Sequence, residues 1–414
     1  MIATGILPKT VDAIRSTFSS LESRDYRYYW LSMMASSAAM QMQLVVRGIQ
    51  VLRLTNSAGD LGLVSLSAGV PILLLSPFAG VIADRVDKRQ LLITTQALFS
   101  MATLAIAILI AVDVIQLWHL IVAAIINGVT FSFNMPGRQA MIPNLVEQRY
   151  LMNAVALNSG AQNLNRVLGS ALGGIFVAII DISGVYFFMF ACSIASTIFL
   201  FFIPSVRKPA RDRKETIFSD LIDGARYVQT RPALLGLLTM AIIPILFGMP
   251  YILLMPIFAT DVLDAGDAGN GYLLAATGAG ALVGSILVAM LSDFKHKGWL
   301  LLGGAIGFGA FLALFGASHN FWLSWTFLLG VGLCSSTYMA ANNSLMLLLS
   351  EDRVRGRIMS LYMMTIGIFP IAVYPAGILI DRLDNPGLVV GAGGLIIVVF
   401  ALGIAVLRPA LRKL

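Results

Sequence analysis

The stretch Gly80-Val81-Ile82-Ala83-Asp84-Arg85-Val86-Asp87-Lys88-Arg89-Gln90-Leu91 decides the fold. Apolar segments flank it over roughly residues 61–82 and 90–112, each near the length of about 20 residues that a helix needs to cross a bilayer. The few polar residues between them must turn the chain at a membrane face. Gly80 allows a close helix approach near the end of the first segment. Asp84 puts an acid where that segment stops, and Arg85, Lys88 and Arg89 hold the turn on the cytoplasmic side.

Working outward, the whole chain has the same character. Its 414 residues are 58% hydrophobic and 12% charged, with a mean hydropathy of +0.86, which excludes a soluble multidomain protein. Twelve apolar spans can be placed, at roughly 27–52, 61–82, 90–112, 117–135, 150–180, 184–204, 233–260, 269–291, 298–316, 320–349, 356–380 and 387–407. Their continuous apolar runs exclude barrel strands, which would alternate. The expectation is an all-α membrane protein with twelve transmembrane helices in two pseudo-symmetric six-helix bundles.

The net charge of +7 is explained by placement rather than by nucleic acid. Putting the N-terminus inside assigns all basic residues except Arg47, Arg53, Arg166 and Arg382 to cytoplasmic segments. The opposite loops carry mainly acids, Asp60, Asp113, Asp181, Asp261, Asp264 and Asp267. This asymmetry predicts both termini in the cytoplasm and a multi-pass protein of the cell inner (plasma) membrane. Segment 1–26 lacks a signal-peptide core and spaces Val11, Ile14, Phe18 and Leu21 as an amphipathic surface helix would. Cys192 and Cys334 fall inside apolar spans of opposite halves and suggest neither a disulfide nor a metal site.

The long polar stretch 205–232 separates an N-terminal bundle, 27–204, from a C-terminal bundle, 233–407, with a tail at 408–414. The second half repeats the first weakly. Asp293 stands where Asp84 stands, and Gly173 and Gly377 hold comparable places in the fifth and eleventh spans. Parallel halves facing a midplane cavity are a secondary-transporter architecture.

The opening turn, G-x-x-x-D-R-x-x-[KR]-R, resembles the loop between the second and third helices of the major facilitator superfamily. Finer likeness lies in Phe133-Asn134-Met135-Pro136-Gly137-Arg138-Gln139, in Leu151-Met152-Asn153-Ala154-Val155 and in Arg355-Gly356-Arg357-Ile358-Met359. These blocks are similar to the bacterial exporter group that handles macrolides and enterobactin. The resemblance implies efflux of small molecules driven by an ion gradient. It also implies a gating motif of Gly80, Asp84, Arg85, Lys88, Arg89 and Arg138. The signature G-P-x-x-G-G appears as Gly169-Ser170-Ala171-Leu172-Gly173-Gly174, with serine for proline, so the kink and the antiport inference are weaker. The family's arginine early in the fourth span and its acid in the first span are both missing. His119 reads as interfacial.

Charge inside the membrane is the sharpest remaining signal, because it costs at least about 2.5–3.5 kcal/mol. Arg166 lies about 16 residues into its span, roughly 24 Å deep, among Asn158, Gln162 and Asn165. Arg47 follows Gln41 and Gln43 in the first span. No acid occupies the middle of any span, so the cavity potential is positive and favours neutral or anionic cargo. With Asn134, Tyr338, Asn342, Tyr362 and Tyr374, these residues are the candidate substrate cavity.

The expected protein is a monomeric, cofactor-free secondary transporter, not an enzyme, bound to the lipid bilayer and to a small-molecule substrate, with proton coupling. A lipid or lysolipid flippase on the same scaffold and a non-transporting receptor are the alternatives.

Overall fold

The computed structural model describes residues 19–205, 226–291, 296–351 and 355–407, with side chains at all of these except 80, 81, 83–85, 289, 355–357, 359, 360, 363 and 366. Residues 1–18 of the surface helix expected in 1–26, most of the 205–232 linker, the repeat acid Asp293 and the tail therefore lie outside the described residues. So do the side chains of Gly80, Asp84 and Arg85.

Among the described residues every regular element is helical. We number the long ones α1 (Arg24–Thr55), α2 (Ala58–Arg85), α3 (Lys88–Ala111) and α4 (Leu117–Leu145). A continuous stretch, Leu151–Phe201, breaks at Asp181 and gives α5 (151–180) and α6 (182–201). The second half holds α7 (232–262), α8 (Gly266–Met290), α9 (Lys297–Gly316), α10 (Phe321–Leu349), α11 (Arg355–Leu383) and α12 (Pro386–Leu407). Nine segments of the described residues are long and apolar enough to cross a membrane, and the one containing Asp181 is long enough for two passes. Helices α1 and α11 are not among those nine. In α1 the glutamines and Arg47 dilute an otherwise apolar helix.

Helix α7 is segmented, into Pro232–Phe247, Tyr251–Ile257 and a wide π-type turn at Phe258–Val262. Pro244, Pro250 and Pro256 each remove a backbone donor, so a straight helix cannot persist there.

The turns sort by charge onto two faces. At one, which we call the acidic face, five non-glycine residues have positive φ, namely Asn56, Asp113, Asp181, Asp264 and Asp384. Only Asn and Asp adopt this left-handed conformation readily, because the short polar side chain bonds locally. The acids on this face therefore serve the backbone as well as topology. The opposite, basic face carries the α2–α3 turn. There Asp87 caps α3 by accepting from the Gln90 N–H at 3.1 Å, and Arg89 donates to the terminal carbonyls of α6, Leu200 O and Phe201 O.

Two crossings join the halves, α2 with α11 and α5 with α8. A Cβ on Gly62 would stand 2.6 Å from Tyr374 Cα, and one on Gly377 would stand 2.2 Å from Ala58 O. In the second crossing, Gly174 meets Gly271 in the same way. These approaches run from the acidic face to the level of Leu73 with Gly367 and Val167 with Gly278, near the middle of the helices. Tyr374 is thus a packing residue of the seam.

Candidate functional site

A cavity of about 210 Å³ opens where α1–α4 face α7 and α11. Among the described residues every polar member of its wall comes from the N-terminal half. Ser36, Gln43 and Arg47 stand on α1, Thr95 and Gln96 on α3, and Asn127, Thr130 and Asn134 on α4. Among the described residues the C-terminal half supplies Leu253, Phe369 and Pro370. Met40, Leu44, Ile72, Phe99 and Phe131 complete the apolar surface. The α7 breaks matter here, since the same short segment brings Leu253 to the cavity and seats Pro256 against Gly48 of α1.

The cavity narrows into a hydrogen-bonded network toward the basic face. Ser36 Oγ donates to Gln96 Oε1 (3.0 Å), and Gln96 Nε2 donates to Ser193 Oγ (2.6 Å). Asn134 Nδ2 donates to Thr95 Oγ1 (3.1 Å), and Arg138 Nε donates to Asn134 Oδ1 (2.8 Å). Arg138 is almost wholly buried, 9% exposed, with Nη2 near Ser32 Oγ and Ser196 Oγ at 3.5 and 3.4 Å. Tyr29 OH reaches its backbone carbonyl at 3.0 Å. Arg138, read from sequence as a gate residue beside Asp84, thus sits inside the N-terminal half, where its guanidinium ties α4 to α1 and α6. The Asp84 side chain is outside the described set.

Toward the acidic face stands Arg47. Among the described residues it makes no hydrogen bond or ion pair, and its electrostatic neighbour is the Tyr186 hydroxyl. Asn127 is 9% exposed, and neither its Oδ1 nor its Nδ2 has a hydrogen-bond partner. Of the expected cavity residues, the structure gathers Gln43, Arg47 and Asn134. Gln41 packs against the face of Gly169, and Asn158 is buried in α5. Arg166 and Gln162 are exposed on α5, with Arg166 in electrostatic range of Tyr251 on α7. Tyr338 stacks on Phe308 (5.9 Å, 8°) within the C-terminal half, where Asn342 and Tyr362 are also buried. Lys88 is buried too, 5% exposed. Sequence reading missed Ser36, Thr95, Gln96, Asn127 and Thr130; their only signal was polarity within apolar helices.

The acidic face is tied across the halves by side chains. Asp381, in the last turn of α11, accepts from Ser57 Oγ, Ala58 N and Gly59 N, each at 2.8 Å. It thereby supplies a carboxylate to the positive end of α2. Arg53 of α1 reaches Asp181 at 2.9 Å and Asp267 of α8 at 2.6 Å. The N–H of Ile182, and then Arg53, hold the Asp181 carboxyl below its ordinary range. His119 accepts from the Gln116 N–H through Nδ1 (2.9 Å), capping α4 as an interfacial residue would. No group of three or more His, Cys, Asp or Glu able to hold a metal occurs among the described residues.

Residues 15–413 match the family described as transmembrane secretion effector, a branch of the major facilitator superfamily. The chain belongs to that family. The uncharacterized MFS-type transporter YfiS of Bacillus subtilis (strain 168) is 25% identical over 65% of this chain and just under two thirds, 66%, of its own length. The staphyloferrin A transporter of Staphylococcus aureus (strain NCTC 8325 / PS 47) is 26% identical over 78% of this chain and 81% of its own. The enterobactin exporter EntS of Shigella flexneri is 24% identical over 70% and 69%. Among solved structures, a POT family transporter in complex with 5-aminolevulinic acid superposes with a TM-score of 0.73 at 13% identity, covering 94% of this chain and 97% of that one. A point mutant of the nucleoside transporter NupG gives 0.72 at 11% identity over 93% and 99%. The family and these relatives are membrane transporters, and the helical architecture is the one they share.

Proposed function

We propose that the protein is a secondary active exporter of hydrophobic, neutral or anionic small molecules, working by alternating access in the plasma membrane as a monomer. The observation that carries this reading is the divided cavity wall, with polar residues on α1, α3 and α4 and apolar ones on α7 and α11. A ligand held there touches both halves, so its binding energy bears on how they sit against each other. The positive-inside bias supports placing the basic face in the cytoplasm and the acidic face outside. On that assignment the described crossings close the outer side, and cargo is loaded from the cytoplasm. The activities of two relatives, macrolide efflux protein A of Streptococcus pyogenes and the enterobactin exporter EntS, support the outward direction.

In this scheme Asp84 caps the cytoplasmic end of α11 in the opposite state. Proton coupling uses Asp84 or a group on the substrate, because no carboxylate occupies the middle of any span. The test is counterflow in proteoliposomes with a chemically diverse ligand panel, with and without a pH gradient. Accelerated exchange of neutral or anionic apolar compounds is the expected result. No exchange of any panel member, or translocation of phospholipid alone, would replace export with the receptor or flippase reading.

A further inference from the structure

We infer that the N-terminal cavity is a recognition site for a single carboxylate carried on an otherwise apolar molecule, with Arg47 and Asn127 binding the head. The inference deepens the export reading and rests on it. Three independent observations converge on it. Arg47 lines the cavity with no anionic partner among the described residues. A guanidinium in a low-dielectric site is costly unless paired, and a carboxylate matches its planar fork with two parallel hydrogen bonds. Asn127, more than nine-tenths buried, lines the same cavity with both amide atoms unpartnered. An unpaired buried amide costs about 1–3 kcal/mol, which a ligand oxygen would relieve. The third observation is the distribution of the remaining polar groups.

Thr95, Gln96, Ser36 and Asn134 already bond to one another or to Ser193 and Arg138. They are occupied with the fold, as is Thr130 through the Asn127 carbonyl, whereas Arg47, Asn127 and the neutral Gln43 are not. The charge count selects the anion. Arg47 is the sole ionisable side chain of the described lining, so one negative charge balances it. A phosphate monoester dianion would leave an excess charge in the cavity. Along α1, Ser36 and Arg47 are separated by about 16 Å at 1.5 Å per residue. The head therefore lies at the end nearer the acidic face, and the body runs back between Met40, Phe99, Phe131 and Phe369. Because the described residues of the C-terminal half contribute no polar group, it reads the body alone.

The assignment is tested by binding to the full-length protein in nanodiscs, using three probes of one shape. These are 2-naphthoate, 2-naphthamide and a naphthylmethyl-trimethylammonium. The wild type should bind the carboxylate at least ten-fold more tightly than the amide, with the ammonium weakest. Arg47→Gln should abolish the carboxylate preference while still binding the amide, and Arg47→Lys should retain most of it. Asn127→Leu should weaken the carboxylate several-fold, whereas the surface change Arg149→Gln should leave all three affinities within two-fold. Equal binding of carboxylate and amide by the wild type, or an undiminished preference in Arg47→Gln, overturns the site. Counterflow separates the two claims. Flux of the probes without carboxylate preference ends the anion assignment and leaves export standing. Preferential binding that Arg47→Gln abolishes, with no flux of any probe, keeps the site and ends export.

Discussion

At the scale of single residues, the buried arginines show how little a charge in an apolar span says about its role. Arg138 and Arg47 look alike in sequence, since each lies in a helix with an amide four residues before it. In the structure Arg138 gives Nε to Asn134 and Nη2 to Ser32 and Ser196, with Nη1 left unpartnered, while Arg47 makes no hydrogen bond among the described residues. Polarity within a span was legible because it is expensive. Whether a neighbour already satisfied it was not, because the satisfying partners, Ser32 and Ser196, are over a hundred and under sixty positions away respectively. The two arginines should therefore fail differently. Arg138→Ala strips the partner from Asn134 Oδ1 and should lower stability by about 1–3 kcal/mol, the cost of leaving a buried polar group unsatisfied. Thermal unfolding in detergent would measure the loss. Arg47→Gln should leave the unfolding midpoint within a few degrees and alter ligand choice.

At the scale of elements, the α2–α11 pair is held by backbone proximity. Long helices with strong apolar runs, such as Phe321–Leu349, coincided with their expected spans. So did α5, α6 and α7 as whole segments, and what the sequence did not show is local. The Asp181 turn takes a single residue in the left-handed region, so α5 and α6 follow each other directly where a loop over 181–183 was expected. Segmentation of α7 follows from three prolines whose effect on direction cannot be read from composition. The glycines at the seam were visible, but their partners were not. Gly377 meets Ala58 of the other half, whereas Gly173 packs within its own half and its neighbour Gly174 makes the cross-half contact. Gly377→Val should accordingly prevent closure of the acidic face, abolish transport and expose a cysteine placed at Asn56 to impermeant maleimide. Gly160→Ala has no atom within 4 Å of the new Cβ and should be neutral, or stabilising by up to about 1 kcal/mol from helix propensity.

The same pair carries an acid near each C-terminal end, Asp84 on α2 and Asp381 on α11. The helices run antiparallel, so in the proposed scheme each acid serves the N-terminus of the other helix, Asp381 in this state and Asp84 in the opposite one. The structure shows the Asp381 half of this arrangement with three hydrogen bonds. Asp381→Asn keeps one acceptor oxygen and should raise labelling at position 56. Asp84→Asn should instead leave the acidic face closed and cripple turnover while the protein folds normally. Labelling at both faces in the two variants would measure these opposite shifts, and a shift in the same direction would refute the reciprocal arrangement.

At the scale of the whole molecule, the question is how strongly the acidic face is shut and whether protons open it. The Arg53 clamp bridges the halves, yet Asp181 is exposed and Arg53 itself is about half exposed. Exposed ion pairs contribute about 0–1 kcal/mol and are screened by salt. The interlocked, buried glycine surfaces must supply most of the closure. The sign of the pH response follows from Asp181. Its carboxyl is held below the ordinary range, first by the Ile182 N–H and then by Arg53. A depressed carboxylate stabilises the state that depresses it at any pH above the ordinary value, and that stabilisation fades only as pH falls through the lowered one. Labelling at position 56 should therefore be flat from pH 8 to pH 5 and rise by at most a few-fold below about pH 4. Arg53→Gln should raise the plateau slightly and remove most of that acid rise. A change of ten-fold or more between pH 8 and pH 5 would mean that another group titrates across the seam, and would move proton coupling from the loops or the substrate to the outer gate.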